Sequence, residues 1–269
     1  MTIPKIIHQT YFSRNLPGGL QDNVDGLKLR NPEWEYRFYD DDAILQFIQG
    51  KYDADMLKAY NRISPKYGAA KADLFRYLLL YKCGGVYLDI KSSAAKPLDE
   101  VFRPDDNFLI SSWDNLPGER FEGWGLHAAV KNVPGGEFQQ WYIAAEPGHP
   151  FLAAVIKKVL HNIDKYHPSI HGTGKAGVLW LTGPIAYTLS IAPLLPHHSH
   201  RRVNSSHDLG LNYSVYNDLT HKTILRSHYT NQTEPVVLIG VGKRLTVNMI
   251  NLVKEIRDLV NRHKDKLNL

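Results

Sequence analysis

The chain has 269 residues, of which 43% are hydrophobic and 22% are charged, and this balance excludes an intrinsically disordered protein. A chain of this length buries a substantial core as one domain. The formal net charge of +5 suits a nucleotide diphosphate, a nucleic acid or an acidic membrane face. Because lysine and arginine are spread along the chain without a basic block, we expect no nucleic-acid partner.

Composition and sequence also bear on location. No apolar run approaches the ~18–20 residues that a membrane-spanning helix needs. The first ten residues lack the basic and then apolar profile of a signal peptide, and a single cysteine, Cys83, forms no internal disulfide. We therefore expect a cytoplasmic protein.

The first forty residues predict two strands and the start of a helix. Ile3 to His8 form a short apolar run, and Pro17-Gly18-Gly19 predict a loop after it. From Trp34 to Tyr39 the side chains alternate with a period of two, which indicates a second strand. Asp40 to Asp42 are suited to cap and open a helix.

The clearest helix is predicted from Ser64, with Pro65 in its first turn, to the glycine pair Gly84-Gly85. One face of this helix carries Ala69, Ala72, Leu79 and Cys83. The remaining predictions are strands over 86–90 and 107–112, helices over 151–164 and 246–263, and long loops over 113–125, 168–177 and 193–208.

Strands that alternate with helices predict an open α/β sheet of strongly parallel character. We expect a single domain over 1–269 that ends in a C-terminal helix. The long loops are expected to form lids and acceptor sites.

The segment from Lys71 to Lys91 concentrates the polar groups. On the helix, Asp73 and Arg76 are three residues apart and share a face, while Asp89 follows the next strand at its carboxyl end. Ligands of open α/β sheets bind outside that edge, and the glycine pair allows the helix face and the strand end to converge. Taken alone, Asp73 and Arg76 are also explained as a surface ion pair, and Asp89 as a turn residue.

The chain resembles the DXD-motif glycosyltransferases, which include outer-chain α-mannosyltransferases, capsular polysaccharide transferases and clostridial glucosylating toxins. The matching stretches are IPKIIHQTYF, NPEWEYRFYDD, KADLFRY with GGVYLDI, KPLDEVF, QQWYIAAEPGHPFL, LTGP and, more loosely, LRSHYTN. The resemblance implies a GT-A-like α/β fold, with residues 1–112 as a nucleotide-sugar-binding half and 113–269 as an acceptor-side half. It also implies transfer of a hexose, with retention at the anomeric carbon, from a UDP- or GDP-linked sugar to a glycan or lipid-linked glycan acceptor.

The resemblance also implies roles at matching positions. Asp73 and Arg76 match the pair that binds the donor-sugar hydroxyls, Asp89 matches the first Asp of the DXD motif, and Gln140 matches an amide at the back face of the donor sugar. His228 loosely matches a late metal-binding histidine, with a strand-end histidine as the alternative. The nucleotide-binding positions are Ile7, His8, Gln9, Thr10 and Tyr87.

The chain departs from the motif at Lys91, which stands where the second Asp of DXD is expected. Two carboxylates in the family pattern hold Mn²⁺ or Mg²⁺, whereas an ammonium group has no acceptor for a metal. Two outcomes stay open. Asp89, with His228 and the diphosphate, retains weakened metal binding, which the sequence slightly favours, or Lys91 itself neutralises the diphosphate.

Two further alternatives concern activity and membrane contact. A chain that lost metal chemistry at Lys91 would be a catalytically degenerate sugar-nucleotide-binding protein. The predicted helix over 246–263 carries a basic face, which is explained either by a solvated surface or by peripheral contact with an anionic membrane.

Overall fold

The computed structural model describes residues 2–216 and 232–240 of the chain. Within these residues a central sheet has the strand order β2-β1-β3-β6, in which β1 runs parallel to both neighbours and β6 runs antiparallel to β3. Two further pairs, β4 with β8 and β5 with β7, lie beside it. The strands are β1 (Ile6–Thr10), β2 (Glu35–Tyr39), β3 (Gly85–Leu88), β4 (Ser93–Ala94), β5 (Leu109–Ile110), β6 (Tyr142–Ala145), β7 (Arg201–Arg202) and β8 (Leu211–Asn212).

The helices pack on the sheet and on one another. Two short 3₁₀ helices span Ala128–Val130 and Ala192–His197. The α-helices are α1 (Gly18–Arg30), α2 (Asp41–Lys51), α3 (Ala54–Arg62), α4 (Gly68–Cys83), α5 (Leu98–Val101), α6 (Pro150–Lys165), α7 (Pro168–His171), α8 (Gly174–Leu181) and α9 (Pro184–Ile191). The α/β fold predicted from the sequence is confirmed.

The alternation of β3 explains how the sheet divides the core. Val86 and Leu88 pack with Trp34 in one apolar cluster, whereas Tyr87 points to the opposite face and packs with Leu74. Successive residues of a strand face opposite sides, so each face of β3 is covered by different elements.

Helix α4 begins later than predicted. The predicted N-cap, Ser64, instead lies in a separate turn, where its backbone N–H donates to the Val236 carbonyl. The predicted end is confirmed, since Gly84 caps the helix with a φ of +62°. Nine of its sixteen residues are buried, far more than one face, because α4 lies between the sheet and α6.

Several segments predicted as loops are helical. The prediction of a loop over Pro17-Gly18-Gly19 is wrong, because α1 begins at Gly18. The first residues of a helix need no intrahelical N–H bonds, so glycine is tolerated there while Leu20, Val24 and Leu27 are buried. Likewise α7 and the start of α8 occupy most of the loop predicted over 168–177.

The two predicted halves share strand pairs. Strand β3 pairs with β6, β4 with β8 and β5 with β7, so strands of residues 1–112 are hydrogen-bonded to strands of the second half. The division at residue 112 stays a prediction. The predicted helix over 246–263 and the candidate ligand His228 lie outside the described residues.

One segment changes the expectation about apolar runs. Within the part of the chain that the structure describes, Gly174–His197 is long and apolar enough, by length and composition alone, to cross a membrane. Half of its most apolar window is buried inside the structure, and α8 ends at Leu181 before α9 begins at Pro184. By length and composition, the expectation that no segment could span a membrane is therefore wrong.

Candidate active site

The polar residues of the 71–91 segment meet where β1 and β3 end. Asp89 directly follows β3, and its backbone N–H donates to the carbonyl of Trp141, the residue before β6. Because β1 and β3 are parallel, their carboxyl ends lie at the same edge of the sheet. Helix α4 lies against this edge, which brings its polar face to Asp89.

Asp73 and Arg76 form a buried ion pair on α4. Arg76 Nη2 lies 3.3 Å from Asp73 Oδ1, and their side chains are only 5% and 6% exposed. Arg76 Nη1 also lies 3.2 Å from Asp89 Oδ1, so the predicted convergence of helix face and strand end is confirmed. The alternative of a surface ion pair is wrong, because both partners lie inside the molecule.

Gln140 is held in the same cluster through its backbone carbonyl and its side-chain amide. Its backbone carbonyl accepts a bond of 2.6 Å from Arg76 Nη1, and its side-chain Nε2 donates to Asp73 Oδ1 at 3.2 Å. The hydroxyl of Tyr77 donates to the Gln140 amide oxygen. These contacts fix the orientation of the amide against the Asp73–Arg76 pair.

Thr182 completes the surroundings of Asp73. Its hydroxyl donates to Asp73 Oδ2 at 2.9 Å, and the residue is fully buried at the end of α8. Burial raises the pKa of Asp73 to about 6, against the opposing effects of Arg76 and of the Thr182 hydroxyl. Thr182 lies in the LTGP stretch, and no local pattern predicts its role, because its contact with Asp73 spans 109 residues of chain.

Lys91 is buried beside Asp89. Its Nζ lies 3.3 Å from Asp89 Oδ2 and 3.4 Å from the Tyr213 carbonyl oxygen, and it stands 3.6 Å from the centre of the Tyr213 ring. Burial lowers the pKa of Lys91, and Asp89 opposes this shift. Asp89 keeps 25% of its side chain exposed and is the point at which the cluster meets solvent.

The candidate nucleotide-binding residues of β1 lie mostly inside the sheet. Ile7, His8 and Gln9 are buried, and Gln9 Nε2 donates to the Asp89 carbonyl at 3.2 Å. Thr10, at the strand end, is half-buried, and its Oγ1 lies 3.0 Å from the Tyr87 hydroxyl. The side chains of Ile7, His8 and Gln9 therefore support the edge, while Thr10 borders it.

His8 is neutral in its surroundings. Its Nε2 lies 3.0 Å from the Gly84 carbonyl, and its Nδ1 lies 3.3 Å from the Tyr39 hydroxyl. Burial lowers the pKa of His8 to about 4. A neutral ring that donates from Nε2 and accepts at Nδ1 satisfies both contacts.

Tyr87 links the strand end to the ion pairs. The guanidinium of Arg76 lies 4.5 Å from the centre of its ring. Its hydroxyl donates to Asp89 Oδ1 at 3.4 Å and accepts from Thr10. Tyr87 is 1% exposed, so it braces Arg76 and Asp89 from inside the molecule.

An aromatic cluster borders Lys91. The rings of Trp113, Phe121 and Trp124 lie within 4.9–5.2 Å of one another. Trp113 also lies 5.2 Å from Tyr213, whose ring covers Lys91. Trp124 is 38% exposed, so the cluster presents an aromatic edge to solvent near the site.

Residues 17–109 match the sequence pattern described as "Glycosyltransferase sugar-binding region containing DXD motif". The resemblance predicted from the sequence is confirmed. The matched range holds Asp73, Arg76, Tyr87, Asp89 and Lys91.

Two curated proteins of known name are similar in sequence. Inositol phosphoceramide mannosyltransferase 1 of Schizosaccharomyces pombe is 28% identical over 168 residues, which are 61% of this chain and 44% of that protein. The initiation-specific alpha-1,6-mannosyltransferase of Candida albicans is 32% identical over 143 residues, which are 48% of this chain and 34% of that protein. The chain thus spans less than half the length of either relative.

A solved structure shares the fold. The UDP-bound glycosyltransferase domain of the YGT toxin superposes with a TM-score of 0.51 at 10% identity, and covers 79% of this chain and 81% of that domain. The GT-A-like fold expected from the sequence is confirmed.

Proposed function

We propose that this chain is a retaining hexosyltransferase, because residues 17–109 match the pattern of a glycosyltransferase sugar-binding region with a DXD motif. It moves a sugar from a UDP- or GDP-linked donor to a hydroxyl of a glycan or lipid-linked glycan. The observation that carries the proposal is the buried cluster of Asp73, Arg76 and Gln140, which meets solvent at Asp89.

Asp73 and Arg76 position the donor sugar. A carboxylate accepts from hydroxyl groups and a guanidinium donates to them, so together they match adjacent hydroxyls of a hexose. Gln140 and Thr182 both donate to Asp73 and hold its carboxylate in place, so the cluster changes little on binding. Fixed positioning of this kind lowers the barrier to transfer, because the entropy of orientation is lost before the reaction.

The same contacts indicate how the acceptor is deprotonated. Asp73 and Asp89 are both paired with Arg76, so neither carboxylate is suited to act as a strong base or nucleophile. We infer that the bond from the anomeric carbon to the diphosphate oxygen breaks while the acceptor oxygen bonds to the same face. The acceptor proton passes to an oxygen of the leaving diphosphate, and the Gln140 amide lies behind the sugar.

The name of one relative supports a proposal for the acceptor. A relative in Saccharomyces cerevisiae is named mannosyl phosphorylinositol ceramide synthase, which favours a lipid-linked acceptor.

We propose a cytoplasmic chain that contacts anionic membranes peripherally. Trp180, 46% exposed, shares a cavity with Lys158 and Lys165, and this pairing of an exposed aromatic with cations suits a membrane surface. Failure to float with phosphatidylserine vesicles at low salt would contradict the contact.

A donor screen tests the proposed function. Purified protein is heated with UDP- and GDP-sugars, and a true donor at a hundredfold its dissociation constant is expected to add about 2.7 kcal/mol to the free energy of unfolding. Release of nucleoside diphosphate is then measured with a glycan acceptor, and NMR of the product is expected to show the donor's anomeric configuration.

Two arginine variants serve as the matched test. Arg76→Lys keeps the charge but loses the fork, and is expected to lower transfer by about 100-fold. Arg37→Lys alters a surface pair, in which Arg37 Nε lies 2.7 Å from Glu35 Oε1, and is expected to leave transfer unchanged. A donor that binds without hydrolysis or transfer under any condition would favour the alternative, a catalytically degenerate sugar-nucleotide-binding protein. An inverted product would overturn retention.

A further inference from the structure

The residues at the DXD position do not fit a divalent cation. Such an ion needs several oxygen ligands, and the described segment offers one carboxylate, Asp89, where the motif has two. Both oxygens of Asp89 already face cations, with Arg76 at 3.2 Å and Lys91 at 3.3 Å. In residues 2–216 and 232–240 there is no group of three histidine, cysteine, aspartate or glutamate side chains suited to hold a metal.

Lys91 is fixed at the position of the missing carboxylate. Its backbone carbonyl accepts from Val215 at 2.8 Å, and the ring of Tyr213 covers its ammonium group. Two of its three N–H donors are directed at Asp89 and at the Tyr213 carbonyl. The ammonium group is therefore preorganised beside Asp89, where the cluster meets solvent.

Holding the 213–215 segment does not require this charge. The Ser92 hydroxyl donates to the same Tyr213 carbonyl at 2.8 Å, a shorter contact than that of Lys91. A lysine that is 5% exposed also loses hydration, which a neutral side chain of similar length avoids. Asp89 offsets only part of this loss, and an anionic ligand at the sheet edge would offset more of it.

We propose that Lys91 is the cation that neutralises the leaving diphosphate, and that this chain transfers sugar without a divalent metal ion. The proposal rests on the proposed function. As the bond to the anomeric carbon breaks, negative charge grows on the diphosphate oxygen, and the Lys91 ammonium donates a hydrogen bond to the diphosphate. Asp89 holds Lys91 in place, and Arg76 holds Asp89, so no ion has to enter with the donor.

The first test measures binding of UDP and GDP by calorimetry in EDTA and then in Mn²⁺. Wild type is expected to bind one of the two equally well in both. Lys91→Met, which removes the charge but keeps the length, is expected to weaken that binding by about 10- to 100-fold in EDTA. Lys82→Met is the control, because Lys82 also stands over a tyrosine ring, 4.9 Å from the centre of Tyr52, on the exposed end of α4. It is expected to match wild type.

The second test measures nucleoside diphosphate release after exhaustive chelation. Wild type is expected to keep its full rate in EDTA, and Lys91→Arg to keep most of it, whereas Lys91→Met is expected to lose about 100-fold. Lys91→Asp restores the second carboxylate and is expected to bind Mn²⁺ in the presence of the nucleotide, seen as a loss of the free-ion EPR signal beyond that caused by the nucleotide alone. Wild type is expected to cause no further loss.

The outcomes separate this inference from the function on which it rests. Chelation that abolishes wild-type binding or release, with recovery in Mn²⁺, overturns the role of Lys91 and leaves the transferase intact. If Lys91→Met binds nucleotide and transfers sugar as well as wild type does, the role of Lys91 is likewise overturned. If Lys91→Met does not fold, the wild-type response to EDTA and Mn²⁺ still decides. Absence of any nucleotide binding or release, with or without metal, overturns the proposed function itself.

Discussion

At the residue scale, the site is defined by charged groups that are buried and mutually satisfied. A surface pair such as Arg37 with Glu35 contributes little to stability. Burying Asp73 and Arg76 instead costs hydration, which their contacts with Gln140 and Thr182 offset only in part. Such an arrangement is expected where a ligand uses the charges.

Thr182→Val tests the support of Asp73 at this scale. The substitution keeps the shape but removes the hydroxyl that donates to Asp73 Oδ2 at 2.9 Å. We expect a loss of about 1.5–3 kcal/mol in the free energy of unfolding, measured in urea, and a higher KM for the donor. Thr173→Val is the control, because the Thr173 side chain caps no N–H of α8. Equal stability of the two variants would contradict this role.

His8 gives a pH-dependent contribution to stability. Its pKa falls from 6.5 in the unfolded chain to about 4 in the fold, so protons bind preferentially to the unfolded state. The stability is fully present above pH 6.5 and is lost as the pH falls toward 4. Between pH 7.5 and 5 we expect wild type to lose about 2 kcal/mol more than His8→Asn does.

Urea unfolding at the two pH values measures this difference. The opposite effect of Asp73, whose pKa is raised, and the parallel effect of His149, whose pKa is lowered to about 4, are present in both proteins and cancel. Parallel pH profiles for wild type and His8→Asn would show that His8 titrates normally in the fold.

At the scale of elements, the turn between α4 and β3 aligns the two halves of the site. Gly85 has a φ of +97°, and a Cβ there would lie 2.6 Å from the Ile6 carbonyl oxygen of β1. Gly84 has a φ of +62°, and a Cβ there would lie 2.7 Å from Pro147 Cδ. Only glycine fits this approach, and the turn brings Asp73 and Arg76 on α4 beside Asp89 after β3.

Gly85→Ala is expected to reduce the free energy of unfolding by about 2–5 kcal/mol, through backbone strain together with the steric clash. Gly148→Ala separates these causes, because Gly148 also has a positive φ, +75°, but open space around its Cβ position. It is expected to cost about 1–2 kcal/mol. Thermal and urea unfolding of both variants measure the effect, and similar losses would rule out the clash with β1.

Elements are predictable from the sequence where residues close in the chain determine them. The alternation of residues 34–39 predicts a strand and the glycine pair predicts the end of α4, because strand faces and helix ends depend on neighbouring residues. The predicted start of α4 is wrong, because the turn at Ser64 is held by Val236 from a distant segment. Spacing and resemblance predict that Asp73, Arg76 and Asp89 come together, whereas Thr182 and Tyr213 reach the site only through tertiary packing.

At the scale of the whole molecule, both halves of the chain build one site. The first half supplies the charged residues, and the second supplies Gln140, Thr182 and the Tyr213 segment that hold them. The second half also provides the aromatic edge at Trp124, which is partly exposed to solvent. A donor bound at Asp89 therefore contacts both halves, and its binding is coupled to the stability of the whole fold.

The most direct test of this account is a crystal structure of the chain with an intact donor, grown in EDTA. We predict that the hexose hydroxyls lie within hydrogen-bond distance of Asp73 and Arg76, and that the diphosphate lies against Lys91. A donor bound elsewhere, or a sugar that contacts neither Asp73 nor Arg76, would contradict the central claim.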